Sequence, residues 1–224
     1  MISADVCEMY EKKKIALIWD LDGTLLDSYP VIVESLYETF LPYDNQLEKE
    51  EIHKHVIKSS VTSFIHLMEE KTGIPFDGLK QKYSEISSAK LEEIELIPDA
   101  KEVLLKLQSL GVTNFVFTHR GGTTEAVLRK LEVYDCFDEI ITSREGFPRK
   151  PEPDAVLYLV NKYHLNPENT YYVGDRKIDI ECAKNAKIKS ILYLPSDSYG
   201  EKSGFETFVV SALTEIIEAL YRDK

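Results

Sequence analysis

The sequence predicts an α/β fold: a parallel β-sheet with helices on both faces, interrupted by a helical insertion after the first strand. Three observations predict it. Continuous apolar runs at residues 15–19, 115–117 and 171–173 lack the alternation of a half-exposed strand and fit strands covered on both faces. From residue 96 onward, segments of helical spacing alternate with such runs, the pattern of βαβ units. Between residues 29 and 95 that order stops, and helical spacing occurs without a strand pattern.

Each element follows in chain order. The run Ile15 to Trp19 reads as the first strand and meets the polar turn Asp20-Leu21-Asp22-Gly23-Thr24 directly. In the insertion, Val31, Ser35, Leu36 and Phe40 recur at helical spacing, as do Val61, Phe64, Ile65 and Met68. Gly73-Ile74-Pro75 is a stop signal, and a polar helix is expected over residues 79–92. Val103, Leu104, Leu107 and Leu110 mark a helix ended by Gly111, before the strand at 115–117. A helix over 124–131 precedes a strand at 139–142, and one over 154–163 precedes the strand at 171–173. Residues 177–186 read as helix, 190–194 as strand and 213–221 as a final helix. The expected domains are a core of residues 1–27 and 96–224 and a helical cap of residues 28–95.

Composition narrows the function classes. Hydrophobic residues are 43% and charged residues 29%, a globular balance that can bury a core. Twenty-seven Lys and Arg stand against 39 Asp and Glu, a net charge of −12, so generic nucleic-acid binding is not expected. One locally positive pocket for a small anion remains compatible with that average. Cys7, Cys136 and Cys182 are odd in number and widely spaced, and read as small packing thiols in a reducing compartment. The apolar run after Lys12-Lys13-Lys14 is too short for an export signal, and no stretch is long enough to span a membrane. A cytoplasmic protein, monomer or homodimer, is expected.

Four polar stations follow apolar runs: 20–24, Thr118-His119-Arg120, Lys150-Pro151-Glu152-Pro153, and Gly174-Asp175 with Asp179. In open parallel sheets ligands bind beyond the carboxyl ends of the strands, so these stations converge on one crevice. Asp20, Asp22, Asp175 and Asp179 would repel one another without a cation. Oxygen-only ligands favour a hard ion such as Mg²⁺. Lys150 supplies positive charge and Thr118 a hydroxyl donor, and together they could hold a phosphoryl group. Asp20 is a candidate nucleophile, and Asp22 a candidate proton donor to the leaving oxygen.

These residues resemble the haloacid dehalogenase superfamily, in its phosphatase branch with a helical cap, similar to phosphoglycolate phosphatase and β-phosphoglucomutase. Asp20-Leu21-Asp22-Gly23-Thr24 matches the first motif, Thr118 the second, Lys150 the third, and Gly174-Asp175 with Asp179 the fourth. The resemblance implies a Rossmann-like core and a Mg²⁺-dependent phosphohydrolase acting on a small phosphorylated metabolite. It implies Asp20 as nucleophile and metal ligand, Asp22 as acid/base whose carbonyl also meets the metal, and Asp175 as ligand. Asp179 is expected at the metal site, orienting bound water. Gly23 and Thr24 are assigned to substrate binding, and Gly23 permits the tight backbone.

The family often carries Asn after the second-motif Thr; here His119 and Arg120 follow, and they are expected to reach the non-reacting part of the substrate. Residues 28–95 hold seven Lys, 13 Asp and Glu and no Arg, so an arginine clamp from the insertion onto a substrate carboxylate is excluded. Two alternatives stay open: a phosphomutase of the same fold, and a scaffold binding Mg²⁺ and phosphate without turnover.

Overall fold

The computed structural model describes residues 13–223, so Cys7 lies outside the described residues. The chain divides into two compact units: the described residues up to Leu26 together with those from Leu96 onward, and Asp27–Glu95.

The first unit opens with β1 (Ala16–Trp19), buried along its whole length. β2 (Leu26–Asp27) leads into the second unit, where α1 (Tyr29–Phe40), α2 (Lys49–Lys58), α3 (Val61–Thr72) and α4 (Phe76–Ala89) follow in turn. The chain returns through β3 (Glu95–Leu96), which pairs with β2 in a separate two-stranded sheet. Then come α5 (Ala100–Ser109), β4 (Thr113–Phe117), α6 (Thr124–Lys130), β5 (Glu139–Ile141) and α7 (Asp154–Lys162). β6 (Thr170–Gly174), α8 (Lys177–Asn185), β7 (Lys189–Tyr193), β8 (Phe208–Val210) and α9 (Glu215–Arg222) complete the chain.

The main sheet runs β5-β4-β1-β6-β7-β8, and every pairing in it is parallel. The chain builds outward from β1 to β4 and β5, then crosses back to β6 and builds outward the other way. Right-handed crossovers in opposite directions put α5 and α6 on one face and α7 and α8 on the other. One packing cluster shows the face of α7 and α8: Ile18, Phe115, Phe117 and Tyr172 of the sheet meet Val156 and Leu159 of α7 and Cys182 of α8. Burial on both faces explains why these strands read as unbroken apolar runs. Trp19 is fully buried, and its indole N–H donates to Asn114 Oδ1 at 3.0 Å, so the indole keeps a partner inside the core.

The second unit packs Leu36 and Phe40 of α1 against Ile52 and Val56 of α2, Phe64 and Met68 of α3, and Leu79 of α4. Ser60 caps α3, its side chain accepting from the Ser63 N–H, and Gly73 ends it at φ +72°. The fourth helix occupies 76–89 rather than 79–92, because Pro75 serves as its N-cap and a 3₁₀ turn over Leu91–Glu93 takes the last residues. α2 carries few apolar positions among its charges, which hides it from periodicity. β8 is a three-residue edge strand after a long polar loop, too short for a pattern of its own.

Candidate active site

β1 lies between β4 and β6, so residues at its carboxyl end stand beside those ending both neighbours. Asp20 prolongs β1, its N–H donating to the Val173 carbonyl at 2.9 Å. The chain then turns sharply: the Gly23 N–H donates to the Leu26 carbonyl at 2.9 Å, and Gly23 has φ +83°. A side chain at that angle is strained, which accounts for glycine.

Lys150 lies across the sheet edge, buried, its ammonium 2.9 Å from Asp20 Oδ1 and 2.6 Å from Asp179 Oδ1. The rings of Phe117 and Tyr172 face the same ammonium at 5.6 and 5.3 Å. Burial by itself would neutralise Lys150, but Asp179 and Asp20 outweigh it and hold it protonated above its ordinary value. Burial likewise opposes charge on Asp20, yet Lys150 and then Arg176 prevail and keep its carboxyl below the ordinary range. Asp20 is therefore an anion at neutral pH.

Asp175 and Asp179 come from the end of β6 and the first turn of α8. Thr24 Oγ1 donates to Asp175 Oδ1 at 3.0 Å. Asp179 Oδ2 accepts the Arg176 N–H at 3.0 Å, so both its oxygens have protein donors. Gly174 explains how Asp179 comes so near: a Cβ on Gly174 would overlap the Asp179 carboxyl group. Gly174→Ala is therefore expected to displace Asp179 and slacken the Lys150 network, lowering stability by about 1–3 kcal/mol, the usual range for overpacking. Urea denaturation checks this, and an unchanged midpoint would contradict it.

The side chain of Thr118 is buried and its Oγ1 accepts the Arg120 N–H at 3.1 Å, which leaves its own O–H to donate. His119 and Arg120 both have protein partners at the sheet edge. His119 Nε2 accepts the Lys150 backbone N–H at 2.9 Å. Arg120 Nη1 bonds Asp22 Oδ1 at 2.7 Å. Thr24 is wholly buried with its hydroxyl turned to Asp175. Each of these side chains finds a polar partner at the sheet edge, as a group drawn out of water needs, although Arg120 Nε is left without one. Arg176 is a residue that sequence reasoning missed. Its place directly after Asp175 was the available signal, and its charge acts on Asp20.

Accepting at Nε2 requires a neutral imidazole. Burial, followed by Lys150 and Arg149, lowers the His119 pKa to about 3. The unfolded chain takes a proton near the ordinary value of 6.5, so between those values it binds more protons and stability rises with pH. Thermal unfolding followed from pH 6.5 down to pH 4 should show a steeper loss in wild type than in His119→Gln. Equal slopes would contradict the assignment.

Cation binding can be tested against the donors themselves. Asp20, Asp175 and Asp179 each offer a carboxylate oxygen, all within 4.8 Å of one another and all buried. Asp20 Oδ2 is buried and has no hydrogen-bond partner. A buried carboxylate oxygen without a donor is costly, and a hard cation would satisfy it. The residues fit such an ion.

A parallel sheet of this order, with an acidic cluster and a buried lysine at its switch point, defines a hydrolase of the haloacid dehalogenase type. The chain belongs to the haloacid dehalogenase-like hydrolase family, whose match covers residues 17–193. It is 26% identical to pyrophosphatase PpaX of Oceanobacillus iheyensis over 90% of this chain and 94% of that one. It is also 26% identical to the phosphoglycolate phosphatase of Aliivibrio fischeri, over 86% and 89%. The crystal structure of a predicted phosphoglycolate phosphatase from Haemophilus somnus superposes with a TM-score of 0.81 at 20% identity, covering 92% of this chain and 97% of that one; it shares the fold.

Proposed function

We propose that this protein is a Mg²⁺-dependent phosphatase that hydrolyses a small phosphomonoester through a phosphoaspartate on Asp20. The observation that carries the reading is the division of labour on Asp20. One carboxylate oxygen is fixed by Lys150, and the other is buried, ionised and without a hydrogen-bond donor. An anion so held is pre-oriented for attack.

In this reading an Asp20 oxygen attacks phosphorus while the bond to the leaving oxygen breaks. Asp22, entering the step as the carboxylic acid, gives that oxygen its proton and becomes the carboxylate that Arg120 meets. Water then attacks the phosphoaspartate, Asp22 takes a proton from it, and the Asp20 carboxylate and inorganic phosphate are released. Lys150 keeps positive charge beside the transferring group, and the Thr118 O–H donates to a phosphoryl oxygen. Arg120 orients the Asp22 carboxylate. A divalent ion held by Asp20, Asp175 and the Asp22 carbonyl would neutralise phosphoryl charge.

The relatives' names supply two substrate classes, a phosphomonoester and pyrophosphate. Assay of p-nitrophenyl phosphate, a panel of metabolite phosphates and pyrophosphate, each with Mg²⁺ and with EDTA, separates them. Turnover of a phosphomonoester that EDTA removes and Mg²⁺ restores is the expected result. Wild-type protein inert on the whole panel would leave the non-catalytic scaffold as the better reading.

A further inference from the structure

The Lys150 ammonium has to sit between two carboxylates, yet its backbone belongs to the irregular segment between β5 and α7. Loops are ordinarily the more mobile parts of a fold, so something must fix this one. Beyond Lys150, two side chains hold carbonyls: Asn185 Nδ2 donates to the Pro151 carbonyl at 3.0 Å and Cys182 Sγ to that of Glu152 at 3.3 Å. At Lys150 itself the backbone N–H donates to His119 Nε2 at 2.9 Å. His119 is half-buried and directly follows Thr118, and its ring stands edge-on to Phe117 at 5.7 Å. It is thus held by the end of β4, the strand beside β1.

We propose that His119 is a positioning residue: by accepting the Lys150 backbone N–H it ties the loop to the end of β4 and aims the lysine ammonium at Asp20. Here the third motif is registered against the second by a side chain. The proposal builds on the reading of Asp20 and Lys150 as catalytic groups. The amide and the ammonium are the two ends of one residue, and small misplacements of catalytic groups cost large factors in rate.

Two variants separate this role from simple packing. His119→Phe keeps a flat ring against Phe117 but removes the acceptor. His119→Gln puts a carbonyl oxygen near the position of Nε2. With p-nitrophenyl phosphate and Mg²⁺, His119→Phe should lose about 10- to 100-fold in kcat with KM changed less than about three-fold. His119→Gln should regain most of that loss. Full kcat in His119→Phe, or equal damage in both variants, would overturn the proposal. Amide hydrogen exchange at Lys150 reads the same bond without turnover: it should quicken in His119→Phe and stay near the wild-type rate in His119→Gln. Equal exchange in all three proteins also overturns the proposal. This arm stands even if wild type turns over no phosphate, an outcome that would instead remove the phosphatase reading.

Discussion

Asp20→Asn is expected to abolish turnover, by at least about 10⁴-fold, the scale on which loss of a covalent nucleophile is felt. The amide has the carboxylate's shape but not its charge, and its oxygen is a poor nucleophile. The fold should survive. Lys150 keeps Asp179 as a partner at 2.6 Å, and the Asp20 backbone bond to Val173 does not involve the side chain. Circular dichroism should therefore be unchanged while steady-state release of phosphate vanishes. A second readout distinguishes a nucleophile from a mere charge. Wild-type protein quenched in acid during turnover should carry a phosphate adduct by intact mass, and the variant should carry none. Retention of more than about a tenth of wild-type kcat by the variant would show that another group attacks phosphorus.

Lys150→Met is expected to damage stability and activity together. The lysine is buried between two carboxylates, and the substitution keeps its length while removing its charge. Asp20 and Asp179 would then face each other with only Arg176 left as a counter-charge. Breaking a buried pair by removing one partner costs about 3–5 kcal/mol. Removing the positive charge beside the phosphoryl group should also lower kcat by about 10²–10³-fold, the scale seen for single groups that stabilise transition-state charge. A double variant separates the two effects. Adding Asp179→Asn relieves the repulsion, so Lys150→Met with Asp179→Asn should recover much of the stability and none of the activity. Urea denaturation and phosphate release measure the two quantities. If stability returns and activity returns with it, Lys150 acts only as a structural counter-ion.

Much of this was legible in the sequence. The runs at 15–19, 115–117 and 171–173 are strands β1, β4 and β6, because burial on both faces forces unbroken apolar stretches. Asp20, Thr118, Lys150 and Asp175 could be picked out because each follows such a run directly or opens the next helix. α2 and β8 were not legible, the first because charges dominate its surface and the second because three residues carry no period.

The sequence by itself determined which apolar runs become β1, β4, β5, β6 and β7, the helical insertion and the chemical types at the sheet edge. These depend on local pattern and on neighbours in the chain. Tertiary structure alone decided which partner each side chain takes. Thr24 meets Asp175 across 151 positions, His119 meets the Lys150 amide across 31, and Lys150 meets Asp179 across 29. Such contacts are set by strand order, register and the need of every buried donor for an acceptor. That is why the partners of His119 and Thr24, the Lys150 amide and the Asp175 carboxylate, were not legible in the chain.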